Sequence, residues 1–283
     1  MAPMVWLLVW MLSAQGGGFW CSMHPGERSA VPAACPICHM PMVPIPPFRV
    51  GEYAIDVSLV PQKNGRGMAG LRLVVRDPAS RAVVTAFETV HERTFHLFIL
   101  SRDLESFLHV HPDMRADGTF ELAQSLPPGE YVLVADFLPA GGVPQTVSRA
   151  VVTPGFDPPS TRGRPTPALT AGPSDVVVDG IRARLEAPAL AAGKDVTLKI
   201  TFSHAASGAP VTDLEPYLGA PAHLLMVNPD VTDAVHGHPE GEATAGPTVA
   251  FDVLIPTTGP FKLWVQIQRR GKVLTFPFTV VAR

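Results

Sequence analysis

Four residues spaced as His96, His109, His111 and Pro112 recur as His223, His236, His238 and Pro239, every pair 127 positions apart. A constant offset over that span makes the chain a duplication, and each copy must close its own core within roughly 100–120 residues. The copies align beyond the histidines. Val84-Thr85 matches Val211-Thr212, Glu88 matches Glu215, and Asp103 matches Asp230 at the same offset. Further on, Pro128-Gly129-Glu130-Tyr131 answers Thr258-Gly259-Pro260-Phe261 at an offset of 130. A slip of three in a loop, with the register kept in the flanking runs, is how duplicated domains diverge.

What each copy folds into follows from the runs between its turns. Short stretches of β-formers at 53–60, 71–75, 81–87, 95–100, 131–137 and 146–152 are separated by Asn64-Gly65, Asp77-Pro78, Asp117-Gly118 and Pro128-Gly129. The second copy repeats this at 175–178, 181–186, 195–202, 223–228, 249–255, 261–268 and 273–281. Thirty-one prolines and 24 glycines in 283 residues leave little room for helix. The expectation is an all-β protein of two tandem immunoglobulin-like β-sandwich domains, at 48–153 and 174–283, joined by a proline-rich linker at 154–173.

His109-Val110-His111 sends two imidazoles to the same side of an extended segment. His96 lies in the preceding run, and a hairpin with Ser101-Arg102-Asp103-Leu104 at its tip brings it alongside the pair, where facing side chains are about 5 Å apart. Imidazole is the commonest metal-ligating side chain, so each copy is expected to hold one ion: His96, His109 and His111 in the first, His223, His236 and His238 in the second. Asp136 and Gln266 occupy matching places and are candidates for a fourth ligand or a supporting partner. Met114 and Met226 read as ordinary packing residues. His91 and His204 have no counterpart in the other copy and read as hydrogen-bonded core or rim residues.

All three cysteines lie within residues 21–38. Cys35-Pro-Ile-Cys38 places two thiolates three positions apart, able to face one ion. Cys21 and His24 complete a tetrahedral set, and Met23, Met40 and Met42 add soft sulfur that favours Cu(I). A redox CxxC needs a strand before it and a helix after it, which these proline-rich flanks do not supply. The stretch Trp20-Cys21-Ser22-Met23-His24-Pro25 … Cys35-Pro36-Ile37-Cys38-His39-Met40 resembles the small heavy-metal-binding domain carried by copper-transporting ATPases and periplasmic efflux proteins. That resemblance covers residues 19–46 and implies Cys21, His24, Cys35 and Cys38 as ligands. The chain departs from it at Ser22, where the family has Pro, and at His39, where it has Gly. The run His96-Leu97 … Asp103-Leu104 … His109-Val110-His111-Pro112 is likewise similar to exported bacterial proteins with His-x-His-Pro repeats linked to copper and other heavy metals.

An apolar run at 5–12 followed by Ser13-Ala14 has the length of a signal-peptide centre, too short to span a bilayer, so residues 1–18 are read as an export signal and the mature protein as periplasmic or extracellular, with no stable membrane span. A net charge of −3 without a basic block excludes nucleic acid as partner. No nucleophile elbow, phosphate loop or dinucleotide fingerprint is present. The expected function is binding of a heavy metal, a copper ion first and a zinc ion second, for sequestration or hand-over, with a metal-efflux or transport protein as partner. No enzyme activity is expected. Two alternatives are a metalloenzyme using the three-histidine sites, with Glu88, Glu215, Asp113 or Glu240 as base, and an accessory component of an efflux system. A blue-copper electron carrier is disfavoured because no Cys follows Cys38.

Overall fold

The computed structural model describes residues 18–21, 24, 27–37, 39–44, 52–61, 69–157, 167–239 and 245–283. Residues 1–17 of the expected signal segment, Ser22, Met23, Pro25, Cys38 and Glu240 therefore lie outside the described residues, as do residues 158–166 of the linker. A small antiparallel sheet of order β2-β1-β3 comes first, made of β1 (Phe19–Trp20), β2 (Arg28–Ser29) and β3 (Val43–Pro44). The first sandwich contains β4 (Ala54–Pro61), β5 (Ala69–Arg76), β6 (Phe87–Glu88), β7 (Phe95–Ser101), β8 (Phe107–Val110), β9 (Asp113–Met114), β10 (Thr119–Leu126), β11 (Glu130–Pro139) and β12 (Gln145–Val152). The second contains β13 (Asp175–Val178), β14 (Ile181–Glu186), β15 (Asp195–His204), β16 (His223–Val227), β17 (Ala234–Gly237), β18 (Thr248–Leu254), β19 (Gly259–Arg269) and β20 (Lys272–Ala282).

In each sandwich one sheet (β4-β5-β10-β9, or β13-β14-β15-β18) packs against another (β12-β11-β7-β8, or β17-β16-β19-β20). This is the strand order of an immunoglobulin-like sandwich, as expected from the sequence. The expected run at 81–87 is a correction: only Phe87–Glu88 is a strand there. Arg81 takes a left-handed backbone with φ 61°, which turns the chain out of the ladder, and Val84 returns one bond to Val75 as the segment crosses between sheets.

The duplication extends to the backbone. Non-glycine residues with φ near +50–60° recur at the shared offset: His91 and Leu218 (48° and 51°), Leu104 and Val231 (60° and 59°). A β-branched residue in that region is strained, so Val231 is held there by the packing around it.

Alternation along the strands sorts the side chains into two sets. Phe95, Leu97 and Ile99 of β7, with Leu133, Ala135 and Phe137 of β11, fill the first sandwich core. Leu224 and Met226 of β16, with Phe261, Leu263, Val265 and Ile267 of β19, fill the second. The opposite faces of these strands are buried too. Phe98, Leu100, Leu104, Val132 and Val134 pack against Leu225, Val227, Val231 and Trp264 in a third core between the sandwiches, where Phe107 stacks on Trp264 with ring centroids 4.9 Å apart. The two domains are thus joined face to face, beyond the tandem arrangement expected.

Candidate metal centre

Equivalent residues meet across this interface. Arg102 donates to the carbonyl of Pro229, its own counterpart at 3.1 Å, and the rings of His109 and His236, also counterparts, lie 5.8 Å apart. Such self-contacts mark a pseudo-twofold axis, as in an isologous dimer. All six repeated histidines fall on the outer faces of the two packed sheets, beside this axis. His96 pairs across strands with Asp136, and His223 with Gln266.

The first triplet converges as the hairpin geometry predicts. His96 Nδ1, His109 Nε2 and His111 Nε2 are mutually 3.3, 3.2 and 3.1 Å apart. With metal–nitrogen bonds of about 2.0–2.1 Å, the ligand atoms of a tetrahedron lie about 3.3–3.4 Å apart, whereas neighbours in a square plane lie about 2.8–3.0 Å apart. The observed spacing is nearer the tetrahedron. The second triplet, His223, His236 and His238, has ring centroids 5.7, 4.8 and 4.3 Å apart, against 5.5, 4.9 and 4.6 Å in the first. The first triplet is close enough to share an ion by these distances, and so are the second triplet and the mixed group His96, His109 and His236. The two triplets, expected as a site in each domain, lie side by side, with the rings of His96 and His236 5.2 Å apart. The packed faces put both triplets into one continuous centre.

Hydrogen bonds set which nitrogen of each ring faces inward. His96 Nε2 donates to the Val90 carbonyl at 3.0 Å, and His223 Nε2 to the Tyr217 carbonyl at 2.8 Å, the same bond at the 127 offset. His109 Nδ1 donates across the interface to Gln266 Oε1 at 2.8 Å, while the Gln266 amide donates to Thr275. His236 Nδ1 donates to Asp136 Oδ2 at 2.6 Å, again across the interface. Each domain thus supplies the partner that orients a histidine of the other. A carbonyl or carboxylate only accepts, so the opposite nitrogen of each of these four rings is unprotonated. For His96 Nδ1 and His109 Nε2 this points two lone pairs at each other over 3.3 Å, an arrangement that a cation between them resolves. His223 Nδ1, His236 Nε2 and both nitrogens of His238 are buried without a hydrogen-bond partner among the described residues. Buried polar atoms are ordinarily satisfied, so this set fits ligation by an ion.

Burial keeps the rings neutral, the form that binds metal. It pushes His111 and His223 down to about 3 and holds His96, His109, His236 and His238 below the usual imidazole range. Burial raises the Asp136 carboxyl to about 6, with His96 pulling the other way.

A seventh imidazole belongs to the cluster. His91, read from sequence as a core or rim residue, stacks on His238 with centroids 3.4 Å apart, and neither of its nitrogens has a partner among the described residues. Position 218 of the second copy is Leu, so the repeat itself hid it. The signal available was its place six residues after Thr85, at the turn whose Val90 carbonyl holds His96. His204 ends β15 outside the cluster, Met226 faces the second core, and Met114 is exposed on β9. Glu215 accepts from Gln268 and from the Gly271 amide, a structural role.

In the N-terminal segment, His24 Nδ1 lies 3.6 Å from the sulfurs of both Cys21 and Cys35, and these three residues can share an ion. Cys38, the fourth expected ligand, lies outside the described residues. His39 has φ 59°, a left-handed turn of the kind that favours glycine.

Likeness to solved structures is distant. A two-domain fibronectin type-III segment of chicken tenascin is 9% identical over 80% of this chain and 98% of that one, with a TM-score of 0.23. The Escherichia coli adhesin FdeC is 14% identical over 92% and 71%, with a TM-score of 0.26. The FN1–FN3 domains of chicken CNTN1 are 11% identical over 91% and 70%, with a TM-score of 0.22. At TM-scores this low these proteins say nothing about function. No curated protein matches the chain. The family described as "Domain of unknown function (DUF8832)" matches residues 50–154 and again 176–283, one match on each sandwich, and the chain belongs to that family with two copies of its domain.

Proposed function

We propose that this protein is an exported metal-binding protein that takes copper, with zinc as the alternative, into the histidine centre between its domains, for sequestration or hand-over in the periplasm or outside the cell. The observation that carries this is the set of four tautomer-locked imidazoles whose unprotonated nitrogens face inward. Core histidines satisfied by protein partners have no reason to share that orientation. The near-tetrahedral spacing suits Zn(II) or Cu(I) better than square-planar Cu(II). The Cys21, His24 and Cys35 group adds a soft site on the same chain, with Cys38 as its fourth ligand by resemblance. Two donor sets suited to one metal favour a carrier, and a transport or efflux protein is the partner such a carrier needs.

A hydrolytic reading is weaker because, among the described residues, room beside His96 is short. The cavity beside His96 and Asp136, lined also by Val90, Arg93, Thr94 and Leu138, is about 20 Å³, enough for one water. The cavity of about 330 Å³ bounded by Leu71, Asp113, Met114 and Glu121 lies away from the histidines.

The deciding experiment is metal analysis of the full chain after Cu(I), Cu(II) and Zn(II) loading, beside a chain with His96, His109, His111, His223, His236 and His238 changed to Ala. Loss of imidazole-held metal in the variant is expected. Equal metal in both would leave the histidines structural.

A further inference from the structure

The two halves of the centre differ at only a few places, and the differences fall on one side. Six histidines and the two carbonyls that hold His96 and His223 are repeated. Asp136 is answered by Gln266, and His91 by Leu218. Asp136 supports His236 and His91 stacks on His238, so both additions serve the second triplet. The triplets also differ in exposure at their third member: His96 and His223 are 2% and 1% exposed, but His238 is 9% exposed where His111 is half-buried.

We propose that the centre holds two ions of unequal character: one retained by His223, His236 and His238, the other exchangeable at His96, His109 and His111. This rests on the metal-binding reading above. A carboxylate accepting the Nδ1 proton makes the opposite nitrogen of His236 a stronger donor than an amide makes that of His109, and such supporting partners change metal affinity by about 10–100-fold. The retained ion ties His236 of the second domain to Asp136 of the first and so holds the interface closed. The other ion reaches solvent past His111 and is the one passed on.

The test is Co(II) titration of the full chain. The thiolate charge-transfer band counts ions on the cysteine segment, and the visible ligand-field bands count imidazole-held ions separately. Two imidazole-held ions in separate steps are expected. Asp136→Asn should weaken the tighter step about 10–100-fold, His111→Ala should abolish the weaker step alone, and Gln266→Glu should tighten the weaker step. Far-ultraviolet circular dichroism checks that each variant is folded. A single imidazole-held ion, two indistinguishable steps, or Asp136→Asn acting on the weaker step would overturn the inequality while leaving the metal-binding reading intact. No imidazole-held ion in the unaltered chain overturns both.

Discussion

At the scale of single residues, function turns on which atom of a ring carries its proton. His96 and His223 are interchangeable in this respect, each held by a carbonyl six positions earlier, at Val90 and Tyr217. His39 tests the other donor set. Its φ of 59° costs a side-chain-bearing residue about 1 kcal/mol or more relative to glycine. His39→Gly is therefore expected to raise the stability of the N-terminal sheet while leaving metal uptake by Cys21, His24 and Cys35 unchanged. Proteolysis rates and thiolate–Co(II) absorbance check both, and a loss of absorbance would make His39 a ligand. The sequence showed the six repeated histidines as candidates because their spacing is duplicated. It could not show His91 in the same way, since position 218 carries Leu and the residue reaches the cluster only through the fold.

At the scale of the strand, β7 and β16 serve two cores at once. Phe95, Leu97 and Ile99 point one way, and His96, Phe98 and Leu100 the other, which is why the run reads as continuously apolar with one histidine in it. Trp264 of β19 is 2% exposed and stacks on Phe107 of the other domain. Trp264→Ala should cost about 3–5 kcal/mol of interface packing. It should lower the affinity of the histidine centre without touching a histidine, because Gln266, two residues on along the same face, positions His109. Calorimetric unfolding with and without Zn(II) measures both effects. Unchanged metal affinity together with lowered stability would show that the centre does not depend on how the faces are packed.

For the whole molecule, pH and metal act on the same interface. In the metal-free chain the buried rings stay neutral below the pH at which exposed imidazole, near 6.5, takes up a proton. Their folded pKa values are lowered, so the unfolded chain binds more protons as pH falls through 6.5, and stability drops. His223 alone, held down to about 3 by burial, should cost about 2 kcal/mol between pH 7 and pH 5. A chelator-treated sample should therefore melt at a lower temperature at pH 5 than at pH 7, and a sample in which the two melting temperatures agree would mean the rings are not buried neutral. Bound metal should raise the melting temperature, by about 2.7 kcal/mol of stability at a hundredfold excess over the dissociation constant. It should do so less at pH 5, where protons compete for the ligands.

Much of this protein was decided by sequence. The 127-residue repeat set two copies, the alternation and turn residues set all-β sandwiches, and the His-x-His spacing set which imidazoles share a face, because strand periodicity is a local property of the chain. Tertiary structure decided what no local pattern encodes. The outer faces of β7, β8 and β11 are apolar enough to bury, and they pack against the equivalent face of the second copy. Their packing set the two expected triplets side by side, exchanged Asp136 and Gln266 between the domains as supports for His236 and His109, and brought in His91. Contacts between residues 100 or more positions apart depend on how whole faces fit, and spacing along the chain carries no record of that fit.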